Sequence, residues 1–540
     1  MKVLAHEPSG FEGRLVHVEV DIRHGIPGVD LVGLAAGAVK EARERVRAAI
    51  RNSGFEFPLD RVLINLAPAD LPKEGAAYDL PMALALLGAS GALPDPGRPF
   101  LALGELWLDG TVRPVRGVLP GVAAALGAGI DFFVVPADNA EEAKALRKGH
   151  VYPIGRLEDA SLLLCAMREG AEAPPPIEAP CIEGGDGRLS FPRAEGLDGS
   201  PMEEGDLAEL KGQPRLRRAL EIAAAGGHNL FLFGPPGSGK TMAARRFTSL
   251  LPDLGEEAAI QVASLYSLSG AFGSSAVLRR RPPFRAPHHS ASLEGMIGGG
   301  RRLRPGEISL AHKGVLFLDE AAEFRSDILQ SLREPLEEGR VSLVRAGSMA
   351  RFPAQFQLVM AANPCPCGNL GRKGKVCLCS IQDIQRYRRK LGGPLLDRID
   401  IRVAVEPTSP ESLLGPPGED SAAIRSRVEA AIRIQSERYA LEDPHSLGLH
   451  VTCERDSVSL NARLNPGMVE RFCRLESGAG HAFQHSVQRL SLSSRACHSI
   501  LKVARTIADL AEREDIGEEQ VLEAVQHRRF GDGDEIWPGD

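Results

Sequence analysis

A phosphate-binding loop is the strongest chemical signal in the 540-residue sequence. Directly after the apolar run NLFLF, the chain matches the pattern GxxxxGK[ST] with Gly234, Pro235, Pro236, Gly237, Ser238, Gly239, Lys240 and Thr241. Glycines let backbone N–H groups converge on phosphate oxygens, and the N-terminus of the following helix adds partial positive charge. The lysine can bridge terminal phosphates, and the threonine can hold Mg²⁺. The sequence therefore predicts a nucleoside triphosphate site with ATP and Mg²⁺ as its occupants.

Two further apolar runs end in polar residues of the kind that such a site needs. The run VLFL is followed by Asp319 and Glu320, and the run QLVMAA ends at Asn363. We expect Asp319 to bind Mg²⁺, Glu320 to polarise the attacking water and Asn363 to orient that water. The alternative is that the two carboxylates are solvated at the end of a strand and that Asn363 is a turn residue.

Four of the nine cysteines lie close together, as Cys365, Cys367, Cys377 and Cys379. Four soft ligands suit tetrahedral Zn²⁺, although the CxC spacing is tighter than the usual CxxC. Two hypotheses stay open, which are a small structural zinc knuckle and four reduced thiols without a metal. The odd number of cysteines, spread over a long chain, argues against a disulfide framework.

The basic residues that could bind nucleic acid occur in local clusters. With 64 basic and 71 acidic residues the net charge is −7, which excludes a protein that coats nucleic acid by bulk charge. Arg301, Arg302 and Arg304 follow a glycine-rich stretch, and residues 339–356 alternate like a β-hairpin that turns near Ala346. These segments are candidate DNA contacts, and solvated surface charge is the alternative.

Two Pro/Gly-rich stretches divide the chain into three blocks. The predicted organisation is residues 1–168, a linker at 169–205, residues 206–405, a linker at 406–420, and residues 421–530. The first block mixes strands and helices, with predicted strands at 15–20, 62–66 and 132–135 and a helix at 38–51. The second block has short apolar strands at 230–233, 315–318 and 358–361, which are typical of a parallel sheet. The third block is helical, with its clearest helix at 495–512.

No segment has the length of a membrane span, and the N-terminus lacks the apolar core of a signal peptide. We therefore expect a cytoplasmic protein with no membrane partner.

The order of several motifs resembles the AAA+ ATPase superfamily, in particular its magnesium-chelatase-like branch and the competence-related YifB/ComM family. The motifs are GPPGSGKT, RAPHHSAS, PGEISLAHKGVLFLDE, AANPCPCG, GPLLDRID and KVARTIADL. The resemblance implies an α/β fold with a P-loop AAA+ core, made of a parallel sheet with flanking helices and followed by a small all-α C-terminal lid.

The resemblance also implies roles for individual residues. Asn363 becomes sensor 1, and Arg398 becomes the arginine finger that reaches the γ-phosphate of a neighbouring subunit. Arg495 is favoured as sensor 2, with Arg505 as its competitor. The alternative for Arg398 is an inert ion pair with a neighbouring aspartate of its loop, Asp397 or Asp400.

The first block resembles the proteolytic domain of Lon-type proteases in two segments, 72–84 and 103–126. Ala77 stands at the position of the nucleophilic serine in that family, and Leu119 stands at that of the activating lysine. A serine-lysine dyad needs both partners, so we expect an inactive Lon-like α+β domain and no peptidase activity.

The function implied by the resemblance is that of a ring-forming, hexameric motor that hydrolyses ATP and translocates on single-stranded or branched DNA. It would act as a branch-migration helicase in recombination during natural transformation. A magnesium-chelatase-type subunit and a protein-remodelling ATPase that does not act on DNA remain alternatives. The absence of a DxSxS motif counts against the chelatase.

Overall fold

The computed structural model describes ten stretches of the chain. They are residues 1–34, 37–175, 205–270, 278, 280–300, 303–345, 348–370, 372, 374–440 and 460–528. Arg301 and Arg302 lie outside the described residues, as does the expected turn of the hairpin at 346–347. Most of the first predicted linker also lies outside them.

The first block folds around a seven-stranded mixed sheet with the order β3-β4-β2-β1-β5-β8-β9. The strands of this sheet are β1 (Val3–Glu7), β2 (Arg14–Arg23), β3 (Gly28–Val32), β4 (Arg61–Ala67), β5 (Phe100–Ala102), β8 (Phe132–Pro136) and β9 (His150–Ile154). Two further strands, β6 (Glu105–Leu106) and β7 (Val112–Arg113), form a separate hairpin. The helices of the first block are α1 (Gly37–Asn52), α2 (Asp79–Ala89), α3 (Val118–Gly127), α4 (Ala140–Lys144) and α5 (Ala160–Glu169), with 3-10 turns at Ala137–Asn139 and Leu157–Asp159. The three predicted strands lie within β2, β4 and β8, and the predicted helix is α1.

The second block contains a five-stranded, all-parallel sheet with the order β11-β14-β17-β10-β18. Its strands are β10 (Leu230–Phe233), β11 (Phe284–Arg285), β14 (Val315–Leu318), β17 (Gln357–Ala362) and β18 (Ile401–Ala404). Its helices are α6 (Pro214–Gly226), α7 (Lys240–Phe247), α8 (Glu256–Ser269), α9 (Leu293–Ile297), α10 (Glu307–Leu310), α11 (Ser326–Ser331), α12 (Arg333–Glu338), α13 (Ile381–Leu391), α14 (Gly393–Leu396) and α15 (Pro410–Leu414), with 3-10 turns at Leu207–Glu209, Thr248–Leu250 and Ala321–Glu323. The central strands are buried on both faces, as their short apolar sequences predict.

Two antiparallel hairpins project from this core. The first pairs β12 (Gly298–Gly299) with β13 (Arg304–Pro305), and the second pairs β15 (Arg340–Arg345) with β16 (Ser348–Pro353). In the second hairpin Arg345 is opposite Ser348, which confirms the hairpin predicted from the alternating sequence. Side chains from both hairpins pack on α8 in one apolar cluster.

The third block is helical, as predicted. It contains α16 (Ser421–Ala440), α17 (Pro466–Phe472), α18 (Ser477–Leu490), α19 (Ser494–Leu510) and α20 (Glu518–Arg528), with a 3-10 turn at Asn461–Arg463. Its apolar faces share one core with the parallel sheet. The His228 ring lies 2.8 Å from the Thr506 hydroxyl, and buried Arg528 donates to the Ile399 carbonyl at 2.6 Å. These buried polar contacts fix the orientation of the helical block on the core.

The first block contacts the second through α8 and β16. The Ser267 hydroxyl donates to the buried carboxylate of Glu142, and the Phe11 amide donates to the Arg351 carbonyl at 3.0 Å. Burial raises the pKa of Glu142. Among the helices of the described ranges, none is both long and apolar enough to cross a membrane.

Candidate active site

The phosphate loop lies between the buried strand β10 and helix α7. Gly237 and Gly239 have φ of +78° and +90°, a region that side-chain-bearing residues rarely adopt. Gly234 is required for another reason, because a Cβ there would stand 2.1 Å from the Val405 carbonyl oxygen. The loop is therefore a turn that favours glycine at three positions. Its backbone lies close to Val405, which directly follows β18, the strand that pairs with β10.

Lys240 begins α7 and points back into this loop. Its ammonium donates to the carbonyls of Gly234 and Pro235 at 2.7 and 2.8 Å and to the Asn363 amide oxygen at 3.2 Å. Burial lowers the pKa of Lys240 to about 8, an effect that the nearby carboxylates of Asp319 and Glu320 partly oppose. The cation is thus held at the carboxyl edge of the sheet.

The two acidic residues that follow β14 differ in position. Asp319 accepts a hydrogen bond from the Thr241 hydroxyl at 2.7 Å, so the two expected Mg²⁺ ligands are in contact. Glu320 is exposed and has a φ of +49°, an unusual conformation for a residue with a side chain. Its amide donates to the Asp319 carboxylate at 3.0 Å. Backbone strain of this kind recurs at functional sites.

The remaining loop residues fit a phosphate group. The Ser238 hydroxyl is buried and has no hydrogen-bond partner among the described residues. A buried hydroxyl without a partner is costly, and a phosphate oxygen in this loop would supply one. Together with the Lys240 cation and the Thr241–Asp319 pair, these donors and ligands suit a nucleotide phosphate with Mg²⁺.

Sequence reasoning missed Gln213 as a support of this loop. It is buried, and its amide donates to the Ser238 carbonyl at 2.7 Å and to the Glu406 carbonyl at 3.2 Å. Gln213 therefore ties the phosphate loop to the segment after β18. The short run Lys211-Gly212-Gln213 by itself carries no indication of these partners.

The two arginines implied by the resemblance meet on one carboxylate that the sequence did not indicate. Arg398 donates to Glu337, and Arg495 donates to the same Glu337 oxygen at 2.8 Å. These hydrogen bonds, led by that from Arg495, lower the pKa of Glu337. Within the described residues, neither arginine side chain forms a hydrogen bond or ion pair with the phosphate loop. Arg398 also does not pair with Asp397 or Asp400, so the ion pair expected as its alternative is replaced by the one with Glu337.

Arg505, the competitor for the sensor 2 role, lies in the core of the helical block. It is 1% exposed, and its guanidinium donates to Asp509 at 3.1 Å and to the carbonyls of Arg513 and Glu514. A guanidinium fixed in this way is not accessible to a nucleotide. Arg495 is 46% exposed, so of the two candidates it is the one that a nucleotide could reach.

The candidate DNA contacts are described only in part. Arg304 is exposed on β13, beside the second hairpin. It lines a cavity of about 410 Å³ with Met349 and Phe352 of that hairpin and with Ala77 of the first block. The structure thus brings the two basic hairpins together next to the Lon-like block.

The four clustered cysteines converge. All four Sγ atoms lie within 4.8 Å of one another, and Cys365, Cys367 and Cys377 are separated by 3.4 to 3.6 Å. Donation from the Asn369 amide lowers the pKa of Cys367 to about 6. The geometry fits one metal ion held by four thiolates.

The two positions of the first block that resemble the protease dyad hold apolar residues. Ala77 lines the cavity, and Leu119 is fully buried in the core on which Ala77 packs. Methyl and isobutyl groups supply neither a nucleophile nor a base.

A phosphate loop on a parallel sheet of this order, with a polar residue after the strand beside β10 and two acids after the next strand along, defines the class: a P-loop AAA+ ATPase with a helical lid. Three family profiles match the chain. That of the magnesium chelatase subunit ChlI matches residues 206–413, a second ChlI profile matches 18–139, and the ChlI C-terminal profile matches 418–528.

Comparison with individual proteins identifies the family. The uncharacterized protein YifB of Escherichia coli is 41% identical over 517 residues, which cover 95% of this chain and 94% of YifB. The competence protein ComM of Haemophilus influenzae is 39% identical over 530 residues, covering 97% of each chain. A Lon protease of Geobacter metallireducens is 29% identical over 184 residues, 32% of this chain and 22% of the protease. The chain therefore belongs to the YifB/ComM family of magnesium-chelatase-like AAA+ ATPases and carries a Lon-like domain.

Proposed function

We propose that this protein is a ring-forming, hexameric motor that couples ATP hydrolysis to movement along DNA. The observation that carries the proposal is the convergence of Lys240, the Thr241–Asp319 pair and Asn363 at one edge of the parallel sheet, with Glu320 beside them. Each of these residues has a separate task in phosphoryl transfer to water.

The proposed tasks are phosphate binding, metal binding, proton transfer and positioning of water. Lys240 binds the terminal phosphates, and Thr241 and Asp319 hold Mg²⁺, which neutralises phosphate charge when bound. Glu320 accepts a proton from the attacking water, while the Asn363 amide orients it. Arg398 and Arg495 serve as arginine finger and sensor 2 at an interface between subunits.

DNA is the proposed track because both hairpins of the core carry exposed arginines. Arg304 and Arg345 are exposed there, in a chain whose net charge is −7. Arginines at hairpins that line a channel can follow a phosphate backbone. Because one relative is named a competence protein, the proposed process is branch migration on single-stranded or branched DNA during natural transformation, in the cytoplasm.

The cysteine cluster supports a second proposed cofactor, a structural Zn²⁺. Tetrahedral coordination at about 2.3 Å separates thiolate sulfurs by about 3.8 Å, close to the spacings of Cys365, Cys367 and Cys377. Metal analysis of protein purified without added metal is expected to find about one zinc per chain. Iron, or thiols that all react with a thiol reagent in the native protein, would refute zinc.

Steady-state ATP hydrolysis with and without a four-way DNA junction, at several salt concentrations, tests the motor. Lys240→Ala is the blank. We expect stimulation by the junction that weakens as salt rises, because phosphate contacts release counterions. Hydrolysis that is indifferent to junction, duplex and single-stranded DNA would move the proposal to a chelatase-type or protein-remodelling motor.

The hairpin assignment has its own test. Arg304→Glu is expected to lower the salt slope of duplex binding by about 0.9, the value for one lost phosphate contact. Arg433→Glu, an equal charge change at an exposed position on α16, is the matched control. Equal slopes for the two variants would place the DNA elsewhere.

A further inference from the structure

The segment 364–380 joins the candidate sensor to a helix, and it has little core of its own. Its described residues form neither helix nor strand. Val376 and Leu378 are 77% and 89% exposed, whereas Cys365 is buried. A segment that buries so little apolar surface needs another source of order, and four converging thiols offer one. We call this segment the cysteine knuckle.

Both ends of the knuckle are anchored at the nucleotide site. At its start, Asn363 accepts a hydrogen bond from Lys240 at 3.2 Å. At its end, α13 packs against the 3-10 turn Ala321–Glu323, which directly follows Glu320. Tyr387 of α13 belongs to the same buried cluster as Ala321. The knuckle therefore connects Asn363, the candidate sensor, to the turn that directly follows Glu320, the candidate general base.

The middle of the knuckle touches the phosphate loop itself. Gly368 is buried with a φ of +73°, and a Cβ there would stand 2.6 Å from Cγ of Pro236. The Leu370 amide donates to the Cys365 sulfur at 3.4 Å, so a metal ligand is bonded within the same turn. The backbone around Gly368 is thus set from one side by the cysteines and from the other by Pro236.

We infer that Zn²⁺ bound by the four thiolates holds Asn363, the phosphate loop and the turn after Glu320 in register, so that metal occupancy sets nucleotide affinity and the rate of ATP hydrolysis. This inference rests on the proposed ATPase activity and deepens it. Asn363 and Glu320 follow β17 and β14, which pair directly in the sheet. Beyond these strand ends, the contacts of the knuckle fix the separation between Gly368 and the phosphate loop. Removing the metal leaves the knuckle with too few contacts to maintain that separation.

The expected effect of metal loss on turnover and nucleotide affinity follows from the general cost of misplacing catalytic groups. A misplacement of about 1 Å in a catalytic group can cost about 10²-fold in rate. Changes to residues that surround a metal site cost about 10- to 100-fold in affinity for the metal or in activity. We therefore expect turnover to fall about 10- to 100-fold and nucleotide affinity to fall about tenfold when the knuckle loses its metal.

A pair of glycine variants separates metal binding from the contact with the phosphate loop. Gly368 and Gly374 have φ of +73° and +76°, but no atom of the described residues lies within 4 Å of a Cβ built on Gly374. The two substitutions to alanine impose similar backbone strain, and only Gly368→Ala meets Pro236. We expect both variants of the full chain to keep zinc, and Gly368→Ala alone to show the losses in turnover and affinity.

Cysteine variants test the metal directly. Cys367→Ser is expected to lose zinc together with turnover, and Cys165→Ser, at a half-buried thiol of the first block, is the matched control. The readouts are zinc per chain, affinity for a fluorescent ATP analogue and steady-state hydrolysis. Zinc-depleted protein and Gly368→Ala that both bind the analogue and hydrolyse ATP like their controls would overturn the inference.

The proposed ATPase activity can fail separately from this inference. Wild-type protein that binds zinc but hydrolyses no ATP would refute the proposed function. The analogue affinities of Gly368→Ala and Gly374→Ala would still decide whether the knuckle controls the nucleotide site.

Discussion

The Lon-like block and the ATPase core both contain many polar side chains, but they use them in opposite ways. In the Lon-like block the buried carboxylates of Asp79 and Glu142 accept several hydrogen bonds from neighbouring groups. In the core, several polar groups at the sheet edge keep spare hydrogen-bonding capacity or lie open to solvent. The first arrangement stabilises a structure, and the second offers a site.

The interior of the Lon-like block shows the paired arrangement. Fully buried Asp79 accepts two hydrogen bonds from Arg45, at 2.9 and 3.0 Å, and a third from the Leu106 amide. The Tyr78 hydroxyl donates to Glu7 at 2.7 Å. Buried charges persist when they are paired in this way, so these residues indicate architecture and no chemistry.

The edge of the ATPase sheet shows the other arrangement. The buried Ser238 hydroxyl has no partner among the described atoms, and exposed Glu320 has a strained backbone. Such features are retained where a ligand or a reaction compensates for them. The Lon-like block also has buried atoms without a partner among the described residues, His6 Nε2 and the Ser53 hydroxyl, but one lies on β1 and the other directly follows α1. The comparison indicates that the convergence of such groups with a cation and carboxylates at one sheet edge, and not buried charge as such, distinguishes the ATPase site from the Lon-like block.

Arg398→Ala is expected to give the largest effect, because an arginine finger is worth about 10³ to 10⁵ in rate in nucleotide hydrolases. Arg398→Ala and Lys240→Ala subunits, each inactive alone, are expected to recover part of the activity when mixed, since each supplies what the other lacks at a shared interface. Steady-state hydrolysis of the mixture measures this. Failure to complement would contradict a finger that acts between subunits.

Glu320→Gln is expected to bind ATP and to lose about 10²- to 10⁴-fold in hydrolysis, because the amide cannot accept the proton from water. Its free energy of unfolding is expected to change little, since Glu320 is exposed. Single-turnover hydrolysis and urea unfolding, measured on the same preparation, test both halves. Normal turnover would remove Glu320 from the mechanism.

Asp79→Ala is expected to lower the free energy of unfolding of the Lon-like block, in contrast to Glu320→Gln. The substitution removes the hydrogen bonds that Asp79 accepts from Arg45 and the Leu106 amide, and breaking a buried ion pair costs about 3–5 kcal/mol. The matched control is Asp30→Ala, which breaks the exposed pair with Arg61 and is expected to cost below about 1 kcal/mol. Urea unfolding followed by Trp107 fluorescence measures both, and equal losses would argue that burial does not matter here.

Acid is expected to destabilise the Lon-like block through His6. Burial lowers the pKa of His6 to about 4 from its ordinary 6.5, so the unfolded chain binds the proton more readily. The stability contributed by the neutral ring is present above pH 6.5 and is lost as the pH falls toward 4, by up to about 3 kcal/mol. His6→Gln is expected to flatten this dependence, and His24→Gln, at a fully exposed ring, is expected to leave it unchanged.

The sequence alone determined the phosphate loop, the acids after β14, the polar end of β17 and the helical nature of the lid. These features are local, since each depends on contiguous residues or on a short apolar period that fixes which face is buried. The strand at 230–233 and the hairpin around residue 346 were predictable for the same reason.

Only the tertiary structure decided which distant residues meet. Glu337 is 61 residues from Arg398 and 158 from Arg495, and no local pattern joins them. The same holds for Gln213 and Glu406 beside the phosphate loop and for Gly368 against Pro236. Contacts of this kind depend on how strands order themselves in a sheet and how helices pack on it, and those arrangements are set by the burial of the whole core.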